Sequence, residues 1–136
     1  MDINELIDNF DFLGDWEERF GYLMELGRDL EPLADAEKTE ASKVRGCVSQ
    51  VWMVGEARDG RLYFRGDSDA HIVKGLIAVV LIALSGKTPV EILAVDVQAV
   101  FVKLGLDSHL SPNRRNGFAS MVTRIRAHAE SAIATV

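Results

Sequence analysis

The sequence predicts an α+β domain in which a small antiparallel sheet packs against several helices. Three observations carry that expectation. Two amphipathic helical stretches fill the first thirty residues. A β-favouring run, the pair Asp59-Gly60 and a second short apolar run then read as a hairpin. From Ile72 onward the helical period returns, beginning with a segment apolar on nearly every side. Helices and strands grouped along the chain in this way belong to the α+β class, and residues 1–136 read as one domain.

Ile3, Leu6, Ile7 and Phe10 recur at helical spacing within residues 3–13. Asp15 is placed to cap a second helix in which Trp16, Phe20, Leu23, Leu26, Gly27 and Leu30 share one face. Glu17, Glu18, Glu25 and Arg28 take the other face, and Pro32 lies just past the end. Residues 31–43 are polar and read as a surface loop. After Gly46-Cys47, the residues Val48, Val51, Trp52, Met53 and Val54 favour a strand, and Leu62-Tyr63-Phe64 form its return. Ser68 or Asp69 is expected to cap a central buried helix from Ile72 to Leu84, closed by Gly86. Pro89 opens a short helix through Leu93, and Asp96 caps another from Val97 to Leu104, ended by Gly105. Ser111-Pro112, a cap followed by proline at the first helical position, begins the last helix. Phe118, Met121, Val122, Ile125 and Ala129 lie on one face of it.

At 136 residues and 48% hydrophobic the chain can bury a core without a disulfide or structural metal. Its net charge of -6 disfavours nucleic acid and anionic membrane surfaces as partners. The most apolar stretch, Leu76 to Leu84, is far shorter than the ~20 residues a membrane span requires. A lone cysteine and an N-terminus without a signal-peptide pattern make the cytoplasm the expected location.

That cysteine, Cys47, is the first candidate for chemistry. It stands between a polar loop and a strand, and Gly46 before it permits a sharp turn and close approach by another molecule. A buried thiol acting as a small hydrophobe is the alternative. Lys43 and Arg45 either favour the thiolate or are ordinary solvated charges. His71, His109 and His128 have no ligand spacing, and no metal site is expected. His109 is placed in a loop, and His128 near the C-terminal end of the last helix, where the dipole favours an imidazolium. Asp67 and Asp69 read as capping or loop hydrogen-bonding residues rather than an acid/base pair. Two local conflicts stand out: Arg114 and Arg115 put positive charge in a helix's first turn, and Gly117 sits inside a helix at a cost of ~1 kcal/mol relative to alanine. A close packing contact would account for the glycine.

The stretch Gly46-Cys47-Val48-Ser49-Gln50-Val51-Trp52 resembles the GCxSQVW signature of the SufE family. Gly66-Asp67-Ser68-Asp69-Ala70 with Ile72-Val73-Lys74-Gly75-Leu76-Ile77-Ala78 is similar to its GDSDAxIVKGLIA segment. Ser111-Pro112-Asn113-Arg114, Asn116-Gly117 and Met121 resemble its SPxRxNG…M helix start. With Trp16-Glu17-Glu18-Arg19 and Glu25-Leu26-Gly27, which are similar to its second helix, the matches run in family order from about Trp16 to Ala129. The resemblance implies a SufE/NifU-like α+β fold and a sulfur acceptor. Cys47 would take sulfane sulfur from the persulfide of a SufS-type cysteine desulfurase, stimulate that enzyme, and pass the sulfur to an Fe–S scaffold. Pyridoxal phosphate would belong to the desulfurase, and this chain would need no cofactor.

The resemblance also implies a loop that tucks Cys47 into an apolar pocket, with Val44, Val48, Trp52 and Met53 as expected walls. Gly46, Ser49, Gln50 and Trp52 would support the loop, and Asp69 and Arg114 are candidates for partner recognition. Three other readings remain at this point: a docking regulator that carries no sulfur, a peroxide-reactive thiol protein, and a cluster scaffold completed by other chains. Whether the chain is a monomer or a homodimer is left open.

Overall fold

A computed structural model describes residues 1–134. Asp2 and Asp15 open the first two helices by accepting hydrogen bonds from Glu5 N (2.9 Å) and Glu18 N (2.8 Å). These are α1 (Ile3–Phe12) and α2 (Trp16–Arg28). A single 3-10 turn, Asp35–Glu37, interrupts the polar stretch that follows.

Strands β1 (Val51–Arg58) and β2 (Arg61–Ser68) pair antiparallel from Val51↔Ser68 to Arg58↔Arg61. Asp59 (φ 53°) and Gly60 (φ 78°) both take left-handed conformations, the type I′ geometry whose twist suits two adjoining strands. Each edge of this ribbon gains one bridge, Lys43↔Trp52 beside β1 and Leu62↔Lys87 beside β2. The first matters for the site. Met53 N donates to Ser42 O and Val44 N to Val51 O, both at 2.8 Å, so the chain between 44 and 51 is a short loop closed at its base.

Helix α3 (His71–Leu84) is the centre of the core: ten of its fourteen residues are buried, and it packs on α2, β2 and α7. Each large aliphatic side chain fully buried there, such as Leu76, Ile77 and Leu84, contributes roughly 1.5–3 kcal/mol. Its crossing with α2 is close because glycines meet. A Cβ at Gly75 would lie 2.5 Å from Leu23 O, and one at Gly27 would lie 2.7 Å from Gly75 N. The α3 cap differs from expectation. Ala70 is the N-cap and makes no side-chain cap bond, because the Ser68 and Asp69 side chains are engaged with Gln50 instead.

Beyond α3 lie α4 (Pro89–Ala94), with a Thr88–Glu91 capping box, and α5 (Val97–Lys103), capped by Asp96. A further turn, α6 (Leu106–His109), occupies what reads in the sequence as loop. There His109 stacks on Trp16 (ring centroids 4.4 Å apart), and its Nδ1 lies 2.9 Å from Gly105 O, which requires the proton on that nitrogen. Helix α7 (Pro112–Ala134) starts as expected but runs six residues past His128. His128 is therefore outside the last turn, and burial against Phe64, with the Arg124 charge, pushes its pKa down. The dipole argument for an imidazolium does not hold.

Candidate functional site

Cys47 sits on the short loop closed by the Val44–Val51 hydrogen bond. The loop is fastened firmly on either side of the thiol. Upstream, Arg124 of α7 donates to the carbonyls of Lys43 (3.1 Å) and Ala41. Downstream, Gln50 N donates to Asp69 Oδ1 (3.1 Å), and Ser68 Oγ donates to Gln50 O (2.7 Å). Gly46 makes the turn: its φ is +87°, and a Cβ there would lie 2.6 Å from Ser120 Oγ on α7. The left-handed backbone favours glycine at this position, and the Ser120 hydroxyl would have to turn aside for any larger residue.

Between these fastenings the Cys47 side chain has one polar contact, Sγ to Gly117 O at 3.7 Å, a weak S–H donor interaction. A Cβ added to Gly117 would lie 3.5 Å from Sγ. The helix-interior glycine therefore faces the thiol, but 3.5 Å is ordinary contact that an alanine could make, so this contact does not account for the glycine. Cys47 is half-buried and unpaired with any other cysteine.

The thiol borders a cavity of about 180 Å³. Buried Val51, Val73, Leu76, Phe118 and Met121 form its apolar walls. Val48, Ser49, Ser111, Asn113 and Arg114 complete it. Val48 is 79% exposed, a large apolar side chain left in solvent beside the thiol. Burial pushes the Cys47 thiol pKa up. Nearby cations do not reverse that: Arg45 pairs instead with exposed Glu40 at 3.5 Å.

The expected pocket walls are only partly those observed. Val48 lines the cavity, but Val44 and Met53 are core residues away from it. Trp52 alternates to the other face of β1, half-buried, with Lys38 Nζ 5.3 Å from its ring centroid. The walls come instead from α3 and α7, helices far along the chain. Gln50 supports the loop through its backbone rather than its side chain. Asp69 is a fastening of that loop. Asp67 is buried and takes Leu33 N (3.2 Å) and Ser68 N (2.8 Å), with Lys38 and Lys74 each 3.6 Å away. Burial alone would raise its pKa, but these hydrogen bonds and lysines outweigh that and hold it below the usual range. Asp67 and Asp69 are not an acid/base pair. Arg114 is half-buried at the cavity, and its guanidinium has no hydrogen-bond or ion-pair partner among the described residues. Also among these residues, no cluster of His, Cys, Asp or Glu could hold a metal, and no helix is long and apolar enough to cross a membrane.

Fold and site together define a small α+β protein presenting one thiol, on a fastened loop, to an apolar cavity. Residues 4–129 match the SufE family, described as an Fe-S metabolism associated domain. The chain belongs to the SufE family, and its domain is one of iron–sulfur metabolism. It is 47% identical over 132 residues to an uncharacterised SufE-like protein of Rhizobium meliloti (strain 1021), covering 94% of each chain. It is 48% identical over 132 residues to another from Rhizobium etli, covering 94% of this chain and 89% of that one. The solution structure of a hypothetical protein from Thermus thermophilus superposes with a TM-score of 0.79 at 20% identity, over 97% of this chain and 96% of that one, which establishes likeness of fold.

Proposed function

We propose that Cys47 accepts sulfane sulfur from the persulfide of a pyridoxal-phosphate-dependent cysteine desulfurase, stimulates that enzyme, and passes the sulfur on for iron–sulfur cluster assembly. One observation carries this reading: the thiol borders an apolar cavity while its loop, fastened at both ends, holds the side chain itself by a single weak contact. An acceptor must expose its sulfur to a partner and then shield the product. A nucleophile between two fixed points, with a partly apolar cavity beside it, meets both requirements.

The chemistry is that of thiol–disulfide exchange. The Cys47 thiolate attacks the outer sulfur of the donor persulfide. A Cys47 Sγ–S bond forms, the donor's S–S bond breaks, and its electron pair leaves on the donor's inner sulfur, which takes up a proton. The transferred atom keeps its oxidation state, so no outside oxidant or reductant is involved. Removing the donor's sulfur frees its thiol for another turnover, which accounts for stimulation. In the tucked position burial keeps the Cys47 thiol neutral. Leaving the cavity lifts that penalty, so the nucleophile forms where the partner is.

The test is to mix the protein with a cysteine desulfurase and L-cysteine and take peptide mass spectra without reductant. A sulfur adduct on the Cys47 peptide, absent from Cys47→Ser, is the expected result. A rise in desulfurase turnover with Cys47 unmodified would replace the acceptor by a docking activator.

A further inference from the structure

The cavity is larger than a single shielded sulfur atom requires. By the same measure an atom of that size needs about 10–15 Å³, whereas the cavity is about 180 Å³. It is also chemically mixed. Cys47 and Arg114 both line it, and the Arg114 guanidinium has no hydrogen-bond or ion-pair partner among the described residues. Ser111 and Asn113, at the start of α7, add polar groups beside Arg114, and the helix begins there with its positive end. Arg114 is out of place electrostatically within α7, and nothing in the described fold compensates it. A guanidinium beside a small apolar cavity is suited to a carboxylate.

Building on the acceptor reading of Cys47, we propose that this cavity also admits small persulfides bearing a carboxylate, of the amino-acid type. Arg114 binds the carboxylate, and the outer sulfur is delivered directly to Cys47. The step balances as before: the Cys47 thiolate bonds to the outer sulfur, the donor's S–S bond breaks, and the small donor departs as a thiol after protonation. The protein's net charge of -6 makes the direction of the effect diagnostic. Without a local cation, the overall field would slow an anionic donor relative to a neutral one.

The matched probes are N-acetylcysteine persulfide and N-acetylcysteamine persulfide, which differ by one carboxylate. Sulfur appearing on Cys47 is followed by mass spectrometry at sub-saturating donor. The carboxylate donor is expected to react roughly tenfold faster, the scale of one charge-assisted hydrogen bond. In Arg114→Gln the ratio of the two rates should fall to one or below. Arg114→Lys should keep part of the preference, and raised salt should erode it in the wild type. A desulfurase with L-cysteine is run in parallel. If the desulfurase loads Cys47 but the two small donors react alike, or if Arg114→Gln leaves their ratio unchanged, the inference fails and the acceptor reading stands. Equal donor rates combined with slower desulfurase loading in Arg114→Gln would assign the guanidinium to a protein partner and overturn the inference. If no donor places sulfur on Cys47, both fail together.

Discussion

Asp67 and Cys47 stand at opposite extremes of how this molecule holds a side chain. The Asp67 carboxylate is buried among two backbone N–H donors and two lysines. The Cys47 thiol has one contact, at 3.7 Å. The first lies at the end of β2, where the strand, the 31–43 segment and α3 converge. The second lies on the loop that Ser68, the last residue of β2, and Asp69 after it fasten. Stability is concentrated in the frame and withheld from the thiol, the distribution expected of a side chain loosely held within rigid surroundings. Replacing Asp67 should therefore have the largest effect of any change near the site. Asp67→Ala leaves Leu33 N, Ser68 N and two lysines without their acceptor. It should cost about 2–3 kcal/mol in urea unfolding, while Cys47→Ser changes stability by less than ~0.5 kcal/mol. The acid limb supplies a second check. The folded Asp67 pKa lies below its ordinary 3.8, so its contribution is present above that value and is lost as pH falls through the folded pKa. Asp67→Asn should flatten that part of the stability profile.

The same contrast governs what is legible in the sequence. The frame's elements follow from short-range signals: Asp2 and Asp15 as caps, Asp59-Gly60 as a two-residue turn, Ser111-Pro112 as a helix start. The position of Cys47 on a glycine-flanked loop is equally local. The cavity is not, because its walls are contributed by α3 and α7, and no local pattern states which distant helix faces a loop. Trp52 can be excluded by strand alternation, since Val51 faces inward and its neighbour must face the other way. Asp69 reads as a cap because an acidic residue before a helix ordinarily is one, whereas here its oxygen reaches back to Gln50 N. Gly117 is the one long-range clue that survives. A glycine inside a helix marks a place to look, and the thiol does lie over it, although at a distance that an alanine would also allow.

Two glycines with nearly the same backbone sharpen the comparison. Gly60 (φ +78°) has open space where a Cβ would go, and Gly46 (φ +87°) has Ser120 Oγ 2.6 Å from that point. Gly60→Ala should cost about 1 kcal/mol from the left-handed conformation alone. Gly46→Ala should cost more, up to about 2 kcal/mol, and Ser120→Ala in the same chain, which removes the hydroxyl without placing a second glycine in α7, should recover the difference but not the conformational part. Equal costs at the two glycines would mean that the Ser120 hydroxyl turns aside, or the Cys47 loop shifts, without penalty.

Loosening a fastening should be milder. Arg124→Ala removes two hydrogen bonds to the loop's upstream carbonyls and should cost about 1 kcal/mol. Its clearer sign is reactivity. Burial raises the Cys47 pKa in the folded protein, so alkylation by iodoacetamide should follow a pH profile centred above that of an ordinary thiol. By linkage the folded state loses stability as pH rises above the unfolded thiol's pKa, because deprotonation is harder inside. In Arg124→Ala the alkylation midpoint should move down toward the ordinary value and the neutral-pH rate should rise. An unchanged profile would place the control of Cys47 exposure at Asp69 rather than at Arg124.

The smallest expected effect is a gain. Gly117→Ala adds a methyl group inside α7, where glycine costs ~1 kcal/mol relative to alanine. The new Cβ would lie 3.5 Å from Cys47 Sγ and 3.9 Å from its Cβ, ordinary contact distances that require no displacement of the thiol. Helix propensity and the added contact thus act in the same direction, and the variant should be more stable to urea by up to about 1 kcal/mol. Because the added contact exists only while the thiol is tucked, the tucked state gains relative to the swung-out one. Alkylation at neutral pH should slow by a factor of roughly two to three, the effect of a few tenths of a kcal/mol of added dispersion contact. Greater stability with unchanged alkylation would show that the thiol leaves Gly117 without penalty and that the weak Sγ contact does not hold the loop. Lower stability would show that the space over Gly117 is needed by the tucked loop itself.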